Sequence, residues 1–191
     1  MSLFISSGYC AALAVMILIL PLDWIIPAMS AAFIHELCHY LAILLCAGQT
    51  KQLQVYTFAA RMELPVMGRG KELLCALAGP MGGFLLYMLN PWLPRLAVCA
   101  LIQSLYNLLP IYPLDGGRAL RCLLQMLLSP AAAQFAEAFV QWLTIGAAFL
   151  LALYAFAVLQ LGMLPLLVVV VLVFRAKDAK MPCNAKLFAV Q

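Results

Sequence analysis

The sequence predicts an all-α polytopic membrane protein, and three observations lead there. Hydrophobic residues make up 67% of the 191 and charged residues 9%, with a mean hydropathy of +1.07. A water-soluble domain of this size needs far more polar residues to cover its surface. The apolar residues are gathered into stretches close to the roughly 20 residues that a helix needs to cross a bilayer. Finally, the cations fall almost entirely in alternate connections between those stretches. The length leaves room for one bundle, so residues 1–175 are expected to form a single membrane-embedded domain and residues 176–191 a short basic tail.

About six transmembrane helices are expected, near residues 8–22, 29–48, 72–89, 92–109, 131–159 and 162–174. The first and last are short and suit tilted or partly immersed helices. The opening residues MSLFISSGYC lack a basic n-region, and no small-residue cleavage site follows the apolar run. The first stretch therefore reads as a retained span rather than a signal peptide. An even number of spans puts both termini on one side, together with the connections 49–71 and 111–130. Those carry Lys51, Arg61, Arg69, Lys71, Arg118 and Arg121, and the tail adds Arg175, Lys177, Lys180 and Lys186. Arg95 alone falls opposite, so the basic side and both termini are expected in the cytoplasm. A formal charge of +4, scattered in this way, does not suit nucleic acid, and none is expected as a partner.

Two segments break the helical pattern. Residues 51–58, KQLQVYTF, alternate in polarity and predict a short β segment at the cytoplasmic interface. It is expected to offer an edge to which an extended peptide could add. The second break is PIYPLDGG at 110–117, where prolines and glycines forbid regular helix. Cys10, Cys38, Cys46, Cys75, Cys99 and Cys122 lie in apolar runs without a CxxC pair and read as small packing residues, while Cys183 in the tail reads as a free thiol.

The two histidines of the chain fall in His35-Glu36-Leu37-Cys38-His39. On a helix, residues four apart share a face, so both imidazoles can reach one metal ion. Glu36 points aside, where it can hold a water that the metal activates. Ionisable residues in the middle of an apolar span are costly unless they serve a purpose. An open zinc site takes three protein ligands plus water, so one ligand is still to be found. Asp23 lies on the far side of this topology, Asp178 in the tail, and Glu63 and Glu72 among basic residues. Asp115 lies in the broken segment, and unwound backbone is tolerated in a membrane protein where it is buried or lines a wet cavity. Glu137, on the 131–159 helix, stays open as the alternative.

HELCH at 35–39, AGPMGG at 78–83 and NLLPIYPLDGG at 107–117 resemble, in that order, the motifs of the intramembrane metalloproteases called site-2 proteases. The resemblance covers about residues 8–160, and the NLLPIYPLDGGR form is similar to the sporulation branch, whose members release a sigma factor from a membrane-tethered precursor. It implies that His35, His39 and Asp115 bind one zinc ion per chain, with a broken helix at the active site, and that Glu36 is the general base. It further implies that Asn107 holds the substrate or stabilises the oxyanion, and that Gly79 and Pro80 shape a helix packed against the site. The expected activity is cleavage of a membrane-tethered protein at a site toward the cytoplasmic side of a bacterial cell membrane, with an inhibitory or scaffolding membrane protein as a candidate partner. Many relatives carry a PDZ insertion or a CBS domain, and this chain has room for neither.

The competing reading is a metal-binding membrane protein or transporter without hydrolytic activity. That needs a polar path to both sides, whereas the polar residues here cluster toward the cytoplasmic half. Prenyl-protein proteases with HExxH use a glutamate as third ligand, and Glu137 has no partner motif. A rhomboid-like serine protease needs a GxSxG-type nucleophile, and Ser104 lies in LIQSLYN instead.

Overall fold

The structure is a computed structural model that describes residues 4–5, 21–47, 52–56, 59–63, 67–160 and 162–178. The described helices are α1 (Leu22–Ala47), α2 (Arg69–Tyr87), α3 (Pro94–Asn107), α4 (Asp115–Leu127), α5 (Pro130–Ala157) and α6 (Leu164–Asp178). Within this set, α1 and α5 are long and apolar enough to cross a membrane, and Pro165–Phe174 of α6 is apolar but shorter. The expected first span, 8–22, lies outside the described residues apart from its last two. Helix α6 runs on to Asp178, into the stretch expected as tail.

The expected connection at 111–130 is corrected: most of it is the helix α4. Arg118 and Arg121 gave it the look of a charged loop, but α4 packs Gly116, Gly117, Ala119 and Cys122 inward. Chain direction shows what α4 is. Helix α3 starts at the end of the bundle where Arg95 meets Asp23 at 3.5 Å. Helix α4 finishes at the opposite end, where the Arg69 guanidinium donates to the Gln125 carbonyl at 2.7 Å. Nearby, the Lys71 ammonium donates to the carbonyl of Cys46 at the close of α1. The α3–α4 stretch is therefore one path through the bundle, interrupted at 108–114; the expected break at 110–117 is corrected at its end, where Asp115, Gly116 and Gly117 form the first turn of α4. Prolines 110 and 113 cannot donate the helical bond, and Tyr112–Pro113 is cis. Gly116 and Gly117 let the start of α4 lie against this break, since a Cβ on Gly116 would strike the Leu108 carbonyl and one on Gly117 the backbone of Ile111 and Tyr112.

Packing on the α1–α3 side relies on small residues, as it does where helices must approach without a hydrophobic drive. Ala31, Cys75, Ala76, Gly79, Gly82, Gly83, Ala97, Ala100 and Ser104 are all buried. The break is held by larger groups: Ile111 and Leu114 pack with Ile145 of α5 and Leu172 of α6. Outer faces are apolar, with Phe33, Leu45, Trp92, Phe135, Phe139 and Leu150 all exposed. Apolar surface of that extent suits lipid rather than water.

Three strands complete the described elements: β1 (Phe4–Ile5), β2 (Gln52–Tyr56) and β3 (Ala59–Glu63). Their order is β1-β2-β3, parallel between β1 and β2 and antiparallel between β2 and β3. The expectation that 51–58 offers a free edge is corrected by this order. Val55 pairs with Ile5 on one side and Ala60 on the other, so β2 is the middle strand.

Candidate metal centre

Helix α1 turns one narrow stripe inward. Ala31, His35, His39 and Ile43, each four residues after the last, are buried, while Phe33, Leu37, Leu41 and Leu45 face outward. The two imidazoles meet edge to face, with ring centroids 4.8 Å apart and an interplanar angle of 82°. Their Nε2 atoms lie 3.2 Å from each other. Asp115, the first residue of α4, puts its Oδ2 3.0 Å from the Nε2 of His35 and 3.0 Å from that of His39.

These contacts bring electron-pair donors together. The Nδ1–H of His39 donates to the Cys75 carbonyl of α2 at 2.7 Å, which leaves the lone pair of Nε2 facing His35 and Asp115. A proton on each ring would serve the carboxylate, but two N–H groups would then oppose each other across 3.2 Å. A divalent cation satisfies all three donors at once. Ligand atoms roughly 2.0–2.1 Å from zinc, at two corners of a tetrahedron, stand about 3.3 Å apart. The observed separations of 3.0, 3.0 and 3.2 Å fit that geometry closely.

Space for an ion is provided by Gly79. A Cβ there would collide with the Nε2 of both His39 and His35, so only hydrogen lets α2 face the cluster this closely. The Cys75 carbonyl, one turn earlier, orients His39 in the way that partners behind a metal ligand do. No sequence pattern pointed to Cys75, because a main-chain oxygen belongs to every residue type.

The remaining expected site residues fall as follows. Asn107, the last residue of α3, has its Nδ2 3.1 Å from His35 Nε2, which puts its side chain against the cluster. Glu36 is half-buried on the adjoining flank of α1, about 100° around the helix from His35. Glu137 belongs elsewhere. It takes three hydrogen bonds of 2.7–3.0 Å from the Arg121 guanidinium, and their side chains are 6% and 19% exposed respectively. Glu137 is thus removed as the alternative third ligand, and Arg121 is a half-buried ion-pair partner rather than a loop charge. The same guanidinium lies 3.9 Å above the Tyr112 ring.

The profile describing Peptidase family M50 matches residues 87–153, a stretch that includes Asn107 and Asp115. No curated protein matches the chain. Among solved structures, the chain is similar to the site-2 protease from Methanocaldococcus jannaschii, with a TM-score of 0.65 and 18% identity. That alignment covers 92% of this chain and 89% of the other. At this identity the likeness is one of fold, and it spans nearly the whole of both chains.

Proposed function

We propose that this chain is an intramembrane zinc endopeptidase that cuts a membrane-tethered protein, with one zinc ion held by His35, His39 and Asp115. The observation that carries the reading is the convergence of two imidazole nitrogens and one carboxylate oxygen at 3.0–3.2 Å, beside a glycine that leaves them room. The M50 match and the shared fold support it.

When bound, zinc supplies Lewis acidity, polarising a peptide carbonyl and making water acidic near neutral pH. Glu36 is the general base: it takes the proton from the attacking water and returns it to the leaving amine. His39 is held in one tautomer by the Cys75 carbonyl, so its ligating nitrogen needs no reorientation. Asn107 supplies an amide N–H beside the cluster, to hold the scissile segment or to steady charge on its carbonyl oxygen. A substrate helix hides its carbonyls in its own hydrogen bonds, so it must unwind locally first. The finer reading places both termini and the site toward the cytoplasm of a bacterial cell. It takes a sigma-factor precursor as substrate, a choice that rests on the NLLPIYPLDGGR form of the motif.

The test is co-expression with single-span candidate substrates, alongside zinc analysis of the purified protein. Glu36→Gln is expected to keep about one zinc per chain and lose cleavage by at least about 100-fold, the lower end of what a single proton-transfer group contributes. Asp115→Ala is expected to lose both. Cleavage that survives Glu36→Gln would end the protease reading, and ion flux that survives it would favour a transporter.

A further inference from the structure

Helix α5 supplies no atom to the metal centre, yet its inward face carries a carboxylate and an amide in an otherwise largely apolar helix. Glu137 is the sole charged residue between Pro130 and Ala157, and Gln141 follows it by four positions on the same face. An ionisable side chain on such a helix is costly and usually marks a working site. Both side chains reach the segment that carries Asp115. Glu137 holds Arg121 of α4 through three hydrogen bonds. Gln141 accepts a hydrogen bond from the Tyr112 N–H at 3.1 Å. Arg121 closes the circuit by lying 3.9 Å over the Tyr112 ring.

Tyr112 precedes Asp115 by three residues and Arg121 follows it by six. The chain is thus tied on both sides of the proposed ligand, by contacts among Tyr112, Arg121, Glu137 and Gln141 that lie outside the metal centre. We infer that Gln141 and Glu137 are positioning residues: through Tyr112 and Arg121 they set the distance and angle at which Asp115 meets the two histidines. The inference rests on the proposed metal role of Asp115. Physical need for such a device is clear from the break itself. Residues 108–114 lack the continuous bonding that orients His35 and His39 within α1, so the placement of α4, and of Asp115 at its start, depends on what holds the break. The Tyr112 N–H is the donor by which the break is tied to α5, and Gln141 is its acceptor.

The experiment compares full-length wild type, Gln141→Leu, Gln141→Glu and Arg121→Lys in detergent, with zinc affinity and the visible spectrum of the cobalt-substituted protein as readouts. Gln141→Leu removes the acceptor, Gln141→Glu keeps it, and Arg121→Lys keeps charge toward Glu137 but loses the planar group above Tyr112. Gln141→Leu is expected to weaken zinc binding about 10-fold or more and to shift the cobalt bands, as loss of a partner behind a metal ligand does. Gln141→Glu should stay within about 2-fold of wild type, and Arg121→Lys should fall between. Unchanged affinity and spectrum in Gln141→Leu overturn the proposal. So does equal loss in Gln141→Glu, which would mean that Gln141 only fills space. If Gln141→Leu does not fold, unchanged affinity and bands in Arg121→Lys overturn it instead. Wild type that binds no zinc, or binds it as tightly as Asp115→Ala, marks failure of the metal reading itself and takes this inference with it.

Discussion

The two sides of the bundle hold the candidate site by opposite means. On the α1–α3 side, alanine, glycine and cysteine let backbones approach, and the histidines are oriented by helix geometry and by one main-chain carbonyl. On the α4–α5 side, a broken helix is fastened by an ion pair, an aromatic stack and an amide. The difference follows from local bonding. A continuous helix fixes the direction of each side chain to within its rotamers, so α1 needs close packing and little else. An interrupted helix leaves its backbone groups and direction unspecified, so polar partners must do both jobs.

Substitution on each side can break this contrast. The largest effect is expected from Gly79→Ala, whose methyl group would collide with the Nε2 atoms of both histidines. Zinc content should fall below about a tenth of wild type and cleavage by at least about 100-fold, since displacement of reacting groups by about 1 Å costs that much. Helical content by circular dichroism should be unchanged, because alanine suits the interior of α2. Loss of helix together with zinc would show that the small-residue side is a folding requirement rather than a clearance for the site.

Glu137→Ala on the other side leaves the half-buried Arg121 guanidinium without its counter-ion. Removing one partner of a buried pair costs about 3–5 kcal/mol, which should appear as a lowered midpoint of thermal unfolding in detergent. Arg121→Leu combined with Glu137→Leu should recover most of that stability, because apolar replacements of similar volume are often neutral. Zinc affinity should stay weak in the double variant, since the group above Tyr112 is still missing. Recovery of both properties would make the pair a matter of folding alone.

The smallest effect sharpens the first side. Cys75→Ala alters the side chain but keeps the carbonyl that accepts from His39. Cleavage should stay within about 2-fold of wild type, because the partner that fixes the tautomer is untouched. A drop of about 10-fold or more would assign the Cys75 thiol a part that the hydrogen bond does not explain.

Much of the site was legible because its strongest pattern is local. The register of His35 and His39 needs only 3.6 residues per turn, and the prolines of the expected break at 110–117 suffice to interrupt a helix, although Asp115, Gly116 and Gly117 at its end belong to α4. Arg121 and Glu137 were misread for the converse reason. Each looks, alone, like a charge in a connection or a spare ligand, and their pairing across α4 and α5 becomes visible only when the helices are docked. The same holds for β2, whose alternation marked an extended segment but could not say that β1 and β3 would flank it.

By itself, the sequence determined the lipid-facing composition, the helices that follow from it, and the shared face of the two histidines. Those properties depend on the solvent and on neighbours within a turn. The broken segment and the motif resemblance point to Asp115, but it is the tertiary structure that brings this carboxylate, 76 positions beyond His39 and 80 beyond His35, against both imidazoles. It also decided which carbonyl would orient His39 and which residues would hold the break. Closing contacts over such separations depends on how helices of different length and direction pack, and no residue carries that information alone.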